Sequence, residues 1–208
     1  MSTMRTHRGA TAGFTLVEMM VVLIIMALLL AWALPSYKNL ITNYRMADEL
    51  SQIQTDVELA RSSAIRTGSN VTICPADVAS SSTSGTPACS GGNEWNTGWI
   101  VFTDNKDDQN TSDPGDTVLR EHVAMSGGDT LLSEVTSSTA AVNTITFNSM
   151  GGTSAWGSAT AVPTGSIVLN DSGNDTSMTR CLTISVAGMI QVTSPQTGSQ
   201  NPTPPACP

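Results

Sequence analysis

The chain begins with a long apolar stretch. The 21 residues from 14 to 34 contain one ionisable side chain, Glu18, and residues 19–34 contain none. At 1.5 Å per residue the stretch forms a helix of about 31 Å, which matches the hydrocarbon thickness of a bilayer. The pattern therefore predicts a membrane-spanning half of a helix over residues 14–35.

Beyond Pro35 the apolar residues recur at steps of three and four. The proline is expected to break or kink the helix, which then resumes with most charged residues outside the apolar stripe. Arg66 followed by Gly68 is a typical C-terminal stop. Residues 36–67 are therefore predicted to be an amphipathic half that packs one stripe on a globular head. The stripe comprises Tyr37, Leu40, Ile41, Tyr44, Ala47, Leu50, Ile53, Val57, Ala60 and Ala64.

From residue 68 onward the period becomes that of short strands, rich in Val, Ile and Thr and bounded by Gly, Asn, Asp or Pro. Ala187-Gly188 is typical of a tight hairpin turn. A helix followed by a run of strands predicts an α+β fold, with an antiparallel sheet in a head of residues 68–208. The predicted strands are residues 70–74, 99–103, 118–123, 144–148, 166–170, 181–186 and 189–193, and loops are expected over residues 79–92, 126–140 and 149–165.

The apolar stretch is preceded by a short motif that contains its one acid. A carboxylate inside a membrane costs about 2.5–3.5 kcal/mol and is by default a functional residue with a partner. No basic side chain lies between residues 14 and 37, so an amine at Phe14 is the nearest candidate. The motif reads Gly13-Phe14-Thr15-Leu16-Val17-Glu18. It resembles the processing site of type IV prepilins and of type II secretion pseudopilins.

This resemblance implies a processing and assembly route. A prepilin peptidase would cut after Gly13 on the cytoplasmic side and methylate Phe14, so residues 1–13 are a leader peptide. Glu18 would pair with the terminal amine of a neighbouring subunit. Arg5 and Arg8 ahead of the span place the N-terminus in the cytoplasm. The expected location is the bacterial inner membrane, single-pass with the head in the periplasm, and then a surface pilus.

Two further blocks narrow the resemblance. They are Gly98-Trp99-Ile100-Val101-Phe102 before an acidic loop, and Cys181-Leu182-Thr183-Ile184-Ser185 before a glycine turn. Both are similar to the GspH/FimT/FimU group of minor pilins. The resemblance implies the pilin fold, partners among the minor and major pilins through the N-terminal helix, and a place at or near the filament tip. A minor pseudopilin of a type II secretion system is the alternative.

Two other interpretations of the N-terminus stay open. Basic residues before an apolar run that ends near Ala31-Trp32-Ala33 also describe a secretory signal peptide. The mature protein would then be a secreted soluble binding domain that starts near Pro35. The span could also be a permanent anchor unconnected with pili.

The charge of the chain argues against a nucleic-acid partner. The formal charge is −8, and without the leader 7 basic side chains face 17 acidic ones, which repels phosphate backbones. Some FimT-like proteins bind DNA through a Gly-Arg-x-Arg hairpin. The matching place here reads Gly188-Met189-Ile190-Gln191 and lacks both arginines.

All four cysteines lie beyond the apolar span, at positions 74, 89, 181 and 207. Without a Cys-x-x-Cys motif, and with one histidine left after processing, disulfides in the periplasm are a better interpretation than zinc. Three connectivities are possible. Cys74–Cys89 and Cys181–Cys207 are favoured because each closes a local loop, and the second would pin the proline-rich tail from residue 194.

An acidic stretch is the one candidate metal site. Asp104, Asp107, Asp108 and Asp116 are oxygen ligands suited to Ca²⁺, but the stretch is not an EF-hand, since Lys106 occupies the third place and the sixth is not glycine. A solvated acidic turn is the competing interpretation.

No catalytic motif is present in the sequence. His122, the one histidine of the processed chain, falls in a predicted strand. The expected protein is therefore a structural and assembly subunit with no cofactor and no enzymatic activity.

Overall fold

The computed structural model describes most of the chain from residue 13 to residue 193. By internal contacts the chain divides into two compact units, Met1–Thr42 and Asn43–Pro208. One helix runs through both units. The described residues are 13–76, 87–106, 108, 111, 113–135, 142–156, 164–173, 175 and 177–193.

The helix α1 spans Leu16–Thr67. Arg66 lies in its last turn, and the Gly68 N–H donates to the Ala64 carbonyl oxygen at 3.0 Å. Gly68 has a φ of 69°, a left-handed conformation that glycine adopts without steric cost and that typically ends a helix. The predicted stop at Gly68 is confirmed.

Pro35 does not end α1. The backbone is helical on both sides of the proline, within a single helix of 52 residues. A proline removes one N–H donor from the hydrogen bonds of the helix. Here the remaining backbone hydrogen bonds maintain the helix through this position. The structure therefore shows no break at this position, and a kink stays a prediction.

Within the second unit, α1 buries one stripe against the sheets, and that stripe starts at Met46. The predicted stripe members that are buried are Leu50, Ile53, Val57, Ala60 and Ala64. Tyr44 and Ala47, in the same unit, are exposed. Within this unit the buried stripe is thus shorter than predicted, and it includes two acids, Glu49 and Asp56.

The described residues form nine strands in two antiparallel sheets. The first sheet has the order β3-β2-β1-β5-β6 and the second β4-β7-β8-β9. The strands are β1 (Val71–Pro75), β2 (Gly98–Thr103), β3 (Val118–Val123), β4 (Thr130–Val135), β5 (Ile145–Phe147), β6 (Thr153–Trp156), β7 (Thr164–Asn170), β8 (Arg180–Ser185) and β9 (Ile190–Thr193). A 3₁₀ turn at Trp95–Thr97 leads into β2.

Two of these strands, β4 and β6, lie in segments that were predicted to be loops. The sequence around β4 is rich in Ser and Thr, which obscures the alternation of apolar and polar residues that is typical of a strand. Leu131 is buried, but so is Ser133, whose hydroxyl donates to the carbonyl oxygen of Val142. A buried hydroxyl with a backbone partner is compatible with a strand interior. The polar residue Ser133 was therefore not evidence for a loop.

The core lies between α1 and the sheets. Its largest buried side chains include Trp95, Trp99, Phe147, Ile53 and Leu131. Alternate residues of β2 point away from it, and Ile100 and Phe102 form a separate cluster with Cys74 and Ala76. The Gly-Trp-x-Val-Phe block therefore supplies both faces of a fully buried strand.

The turn between β8 and β9 is held by an arginine from α1. The Gly188 N–H donates to the Ser185 carbonyl oxygen at 2.8 Å. Nε of Arg61 donates to the Gly151 carbonyl oxygen at 2.9 Å and Nη2 to that of Ala187 at 3.3 Å. One side chain of α1 thus fixes the turns that follow β5 and β8.

Gly188→Ala is expected to destabilise the head far more than Gly68→Ala. Both glycines have a positive φ, 72° and 69°, so both substitutions carry the same backbone strain of about 1–2 kcal/mol. A Cβ at residue 188 would lie 2.0 Å from the Gly151 carbonyl oxygen, whereas one at residue 68 meets nothing within 4 Å. Overpacking against backbone adds about 1–3 kcal/mol. Urea unfolding followed by tryptophan fluorescence measures the difference, and equal losses for the two variants would contradict this packing.

Candidate assembly site

The N-terminal motif forms the start of α1. Oγ1 of Thr15 accepts a hydrogen bond from the Glu18 N–H at 3.2 Å. Thr15 is therefore the N-cap, and Glu18 stands in the first turn, where a carboxylate is favoured by the helix dipole. Sequence reasoning missed this cap, although the Thr-x-x-Glu spacing is that of a capping box.

Among the described residues of the first unit, the apolar side chains of α1 are exposed. Phe14 is 78 % exposed and Trp32 86 % exposed. Among the described residues, α1 is the one helix long and apolar enough to cross a membrane, and its most apolar window buries none of its surface. So large an apolar surface requires a lipid or protein environment.

Glu18 lies on this surface without a cation. In the described part of the chain it forms no ion pair, and the next basic side chain in the sequence is Lys38. At Gly13, an added Cβ would meet nothing within 4 Å, so the backbone at the predicted cleavage position is open. Among the described residues, no side chain supplies Glu18 with a charge partner.

In the head, Asp56 joins α1 to the first sheet. Its carboxylate is buried, and Oδ2 accepts a hydrogen bond from the Trp99 indole N–H at 2.8 Å. Oδ1 accepts from Nη1 of Arg120 at 2.9 Å. Trp99 of the Gly-Trp-x-Val-Phe block thus anchors the helix to the first sheet.

The imidazole ring of His122 stacks on the indole ring of Trp99. The two rings are stacked with centroids 3.9 Å apart and 4° between their planes. Nε2 of His122 is hydrogen-bonded to Oε1 of Gln52, whose amide donates to Asp48 at 2.8 Å. His122 is a half-buried residue of β3, as predicted from its position, and its contacts serve packing.

A second polar contact lies nearer the start of the buried stripe. Nε and Nη2 of Arg45 each donate to the carboxylate of Asp129 at 2.7 Å, and this pairing raises the pKa of Arg45. Glu49 lies beside them. Burial, followed by the charge of Asp129, raises the pKa of Glu49 to about 7.

The head is therefore expected to lose stability as the pH rises from about 4.5 to about 7. The folded state binds the Glu49 proton more tightly than the unfolded chain does, so its stabilising effect is complete below pH 4.5 and is lost through pH 7. Glu49→Gln should raise the free energy of unfolding at pH 8 by on the order of 1–3 kcal/mol and leave it nearly unchanged at pH 4. Denaturant unfolding at the two pH values tests this. An equal effect at both would contradict a buried, titrating Glu49, and Glu58→Gln, at an exposed position of α1, is the matched control.

The acidic stretch is held by its own hydrogen bonds. Asp104 is buried and accepts from Oγ1 of Thr72 at 2.9 Å, while Oδ1 of Asp116 accepts from the Asn105 N–H at 3.0 Å. Lys106 forms an ion pair with Asp113 at 2.8 Å, which lowers the pKa of that carboxyl. Asp108 is described, but Asp107 lies outside the described residues. Among the residues that are described, no three His, Cys, Asp or Glu side chains converge as a metal site would require.

One of the two expected disulfides is confirmed. Cys74 and Cys89 are bonded, with their Cα atoms 5.5 Å apart. Cys181 is buried in the second sheet. Cys207 lies outside the described residues, so the pairing of Cys181 with Cys207 stays a prediction.

Comparison with known protein families shows which family the chain belongs to. A family model described as "Type II transport protein GspH" matches residues 49–188, which is more than half of the chain. The chain belongs to the GspH family. A second model, the prokaryotic N-terminal methylation motif, matches residues 8–34, a range that includes Gly13, Phe14 and Glu18.

Solved structures and curated proteins add little to the GspH assignment. Two crystal structures of the type IV minor pilin FimU of Pseudomonas aeruginosa are similar to this chain, each at 20 % identity over 71 % of it. They are matched over 85 % and 90 % of their own length, with TM-scores of 0.47 and 0.45. No curated protein matches the sequence.

Proposed function

We propose that this GspH-family chain is a minor pilin of a type IV pilus. A prepilin peptidase cleaves it between Gly13 and Phe14 and methylates Phe14. The mature helix anchors it once in the bacterial inner membrane, with the head in the periplasm. From there it enters a filament at or near the tip, where α1 docks against the helices of minor and major pilins.

The proposal rests on the N-terminal motif and on the apolar surface of the helix that follows it. The methylation motif matches the segment that opens α1, and that segment presents an uncovered apolar helix with one carboxylate. A terminal amine from a neighbouring subunit would satisfy Glu18 and fix the axial register of α1, since an unpaired carboxylate in an apolar setting is costly.

The intact mass of the mature protein extracted from membranes tests the proposal. The expected mass is that of a chain that starts at Phe14 and carries one added methyl group. A chain that starts near Pro35 would instead indicate a soluble binding domain released from a signal peptide. The uninterrupted course of α1 through Pro35 argues against that alternative, because such a cut would fall inside the helix.

A minor pseudopilin of a type II secretion system is the second candidate. The matching family is described as a type II transport protein, and both machines use the same N-terminal chemistry. Deletion of the gene discriminates between them. Loss of surface pili with normal secretion supports the pilus, and retained pili with lost secretion supports the pseudopilin.

We assign the head a structural role without catalysis. The one described histidine, His122, is used in packing against Trp99, and the family is one of pilin-like subunits. The acidic charge and the Gly188-Met189-Ile190-Gln191 turn also argue against direct contact with DNA.

A further inference from the structure

Three ionisable side chains meet near the start of the second unit. Arg45 and Glu49 are one turn apart on α1, and Asp129 comes directly before β4. The Asp129 side chain is fully buried and accepts two hydrogen bonds of 2.7 Å from the Arg45 guanidinium. Glu49 is 7 % exposed, and its Oε2 is buried without a hydrogen-bond partner among the described residues. One guanidinium thus has two buried carboxyl groups beside it and is bonded to one of them.

Asp129 also joins two loops of the second sheet. Its Oδ1 accepts a hydrogen bond from the Ser172 N–H at 2.9 Å. Asp129 precedes β4 and Ser172 follows β7, and the two strands pair at that end through Thr130 and Asn170. Arg45 therefore connects α1 to both loops through a single carboxylate.

A proton on Glu49 allows the two carboxyl groups to lie together. Two adjacent buried carboxylates repel each other, so one of such a pair keeps its proton. Burial raises the pKa of Glu49 to about 7, and the charge of Asp129 and a side-chain hydrogen bond with it act in the same direction. Asp129 is thus the ionised member that accepts from Arg45, and Glu49 is the member that carries the proton.

The charged groups that face Glu49 come from three elements. On α1, Arg45 favours the ionised form of Glu49, and the exposed Asp48 disfavours it. Asp129 comes from the loop before β4. Asp171, from the loop after β7, interacts with Arg45, and its carboxylate accepts from N–H groups of its own loop. Among these described groups Arg45 is the one cation, so the carboxylates compete for it.

We propose that the Glu49 proton operates a latch formed by Arg45, Glu49 and Asp129. With the proton in place, Arg45 is bonded to Asp129, and both loops are held to α1. When the proton leaves to solvent, the Glu49 carboxylate repels Asp129 and attracts Arg45 from one helical turn away. Arg45 then changes partner, and the loops before β4 and after β7 are released. The two loops are thus fixed in mildly acidic solution and released above neutral pH.

Hydrogen exchange of single amides in the full-length protein, in detergent at pH 6 and pH 8, tests the latch. With a pKa of about 7, the protonated fraction of Glu49 falls from about nine-tenths to about one-tenth between these values. The protection of the Ser172 N–H, corrected for the intrinsic pH dependence of exchange, should therefore fall about tenfold. The Ser185 N–H, which donates to Met189 in the β8–β9 hairpin, should keep its protection.

Matched variants identify the group that titrates. Glu49→Gln cannot ionise, so Ser172 should stay protected at both pH values. Glu58→Gln, at an exposed position of α1, is the control and should lose Ser172 protection at pH 8 as the unmodified protein does. If Glu49→Gln does not accumulate, Asp129→Asn gives a second test. It removes the charge that keeps Glu49 protonated, so its Ser172 protection should be the same at pH 6 and pH 8.

Several results would overturn the proposal. One is unchanged Ser172 protection between pH 6 and pH 8, and another is a fall in Glu49→Gln or Asp129→Asn equal to that in the unmodified protein. A third is loss of the pH dependence in Glu58→Gln. A parallel fall at Ser185 would show general loosening of the head instead of release of two loops. The latch does not depend on the proposed function, which the mature mass tests separately.

Discussion

Glu18→Ala is expected to be cleaved and methylated normally but to enter filaments at least about tenfold less efficiently. A tenfold change corresponds to 1.4 kcal/mol, well below the cost of leaving one partner of a buried charge pair unmatched. The carboxylate lies on the exposed apolar helix without a cation among the described residues, and its proposed partner is the terminal amine of a neighbouring subunit. Quantitative immunoblots of sheared filaments and of membranes measure the ratio.

The N-cap provides the matched control. Thr15→Ala removes the hydroxyl that accepts the Glu18 N–H and costs about 1 kcal/mol of helix stability, but it leaves the carboxylate in place. Incorporation should stay close to that of the unmodified protein. If the two variants incorporate equally poorly, helix capping rather than charge pairing would be the role of the motif. Normal incorporation of Glu18→Ala would contradict the charge pair directly.

Asp56→Ala is expected to lower the free energy of unfolding of the head by about 3 kcal/mol. The substitution leaves the buried Trp99 indole N–H without an acceptor, which costs about 1–3 kcal/mol. It also removes the partner of Arg120, a smaller loss because that guanidinium is half exposed. Denaturant unfolding of the full chain in detergent, followed by tryptophan fluorescence, measures the change.

Two further variants separate the contributions at Asp56. Asp56→Asn keeps an acceptor for Trp99 but removes the charge that pairs with Arg120, so its loss should be intermediate. Asp48→Ala, on an exposed turn of α1 where the carboxylate accepts from Gln52, should change stability by less than about 0.5 kcal/mol. A loss for Asp48→Ala equal to that for Asp56→Ala would show that burial of the carboxylate is not what matters.

The parts of the fold that could be predicted depend on local signals. The long helix follows from an uncharged stretch and a stripe with a helical period, and its end follows from Gly68, whose φ is 69°. The hairpin of β8 and β9 follows from two Val- and Ile-rich runs around a glycine. In each case neighbouring residues alone determine the backbone conformation.

Other features could not be predicted because they depend on distant partners. Asp56 has the composition of a solvent-facing helix residue, but its acceptor oxygens meet Trp99 and Arg120, which are 43 and 64 residues away. The strand β4 was hidden by polar residues such as Ser133, which is buried and bonded to a backbone carbonyl. The proposed partner of Glu18 belongs to another molecule, so no contact within the chain could have predicted it.

The polar contacts along α1 also determine how the head resists mechanical load. Arg45, Asp56 and Arg61 connect the helix to the rest of its unit at three points, spread over about 24 Å at 1.5 Å per residue. A filament under tension pulls each subunit along its helix, in shear against the sheets. Because shear strains all three connections together, the head would withstand forces that would break the same bonds one at a time in peeling.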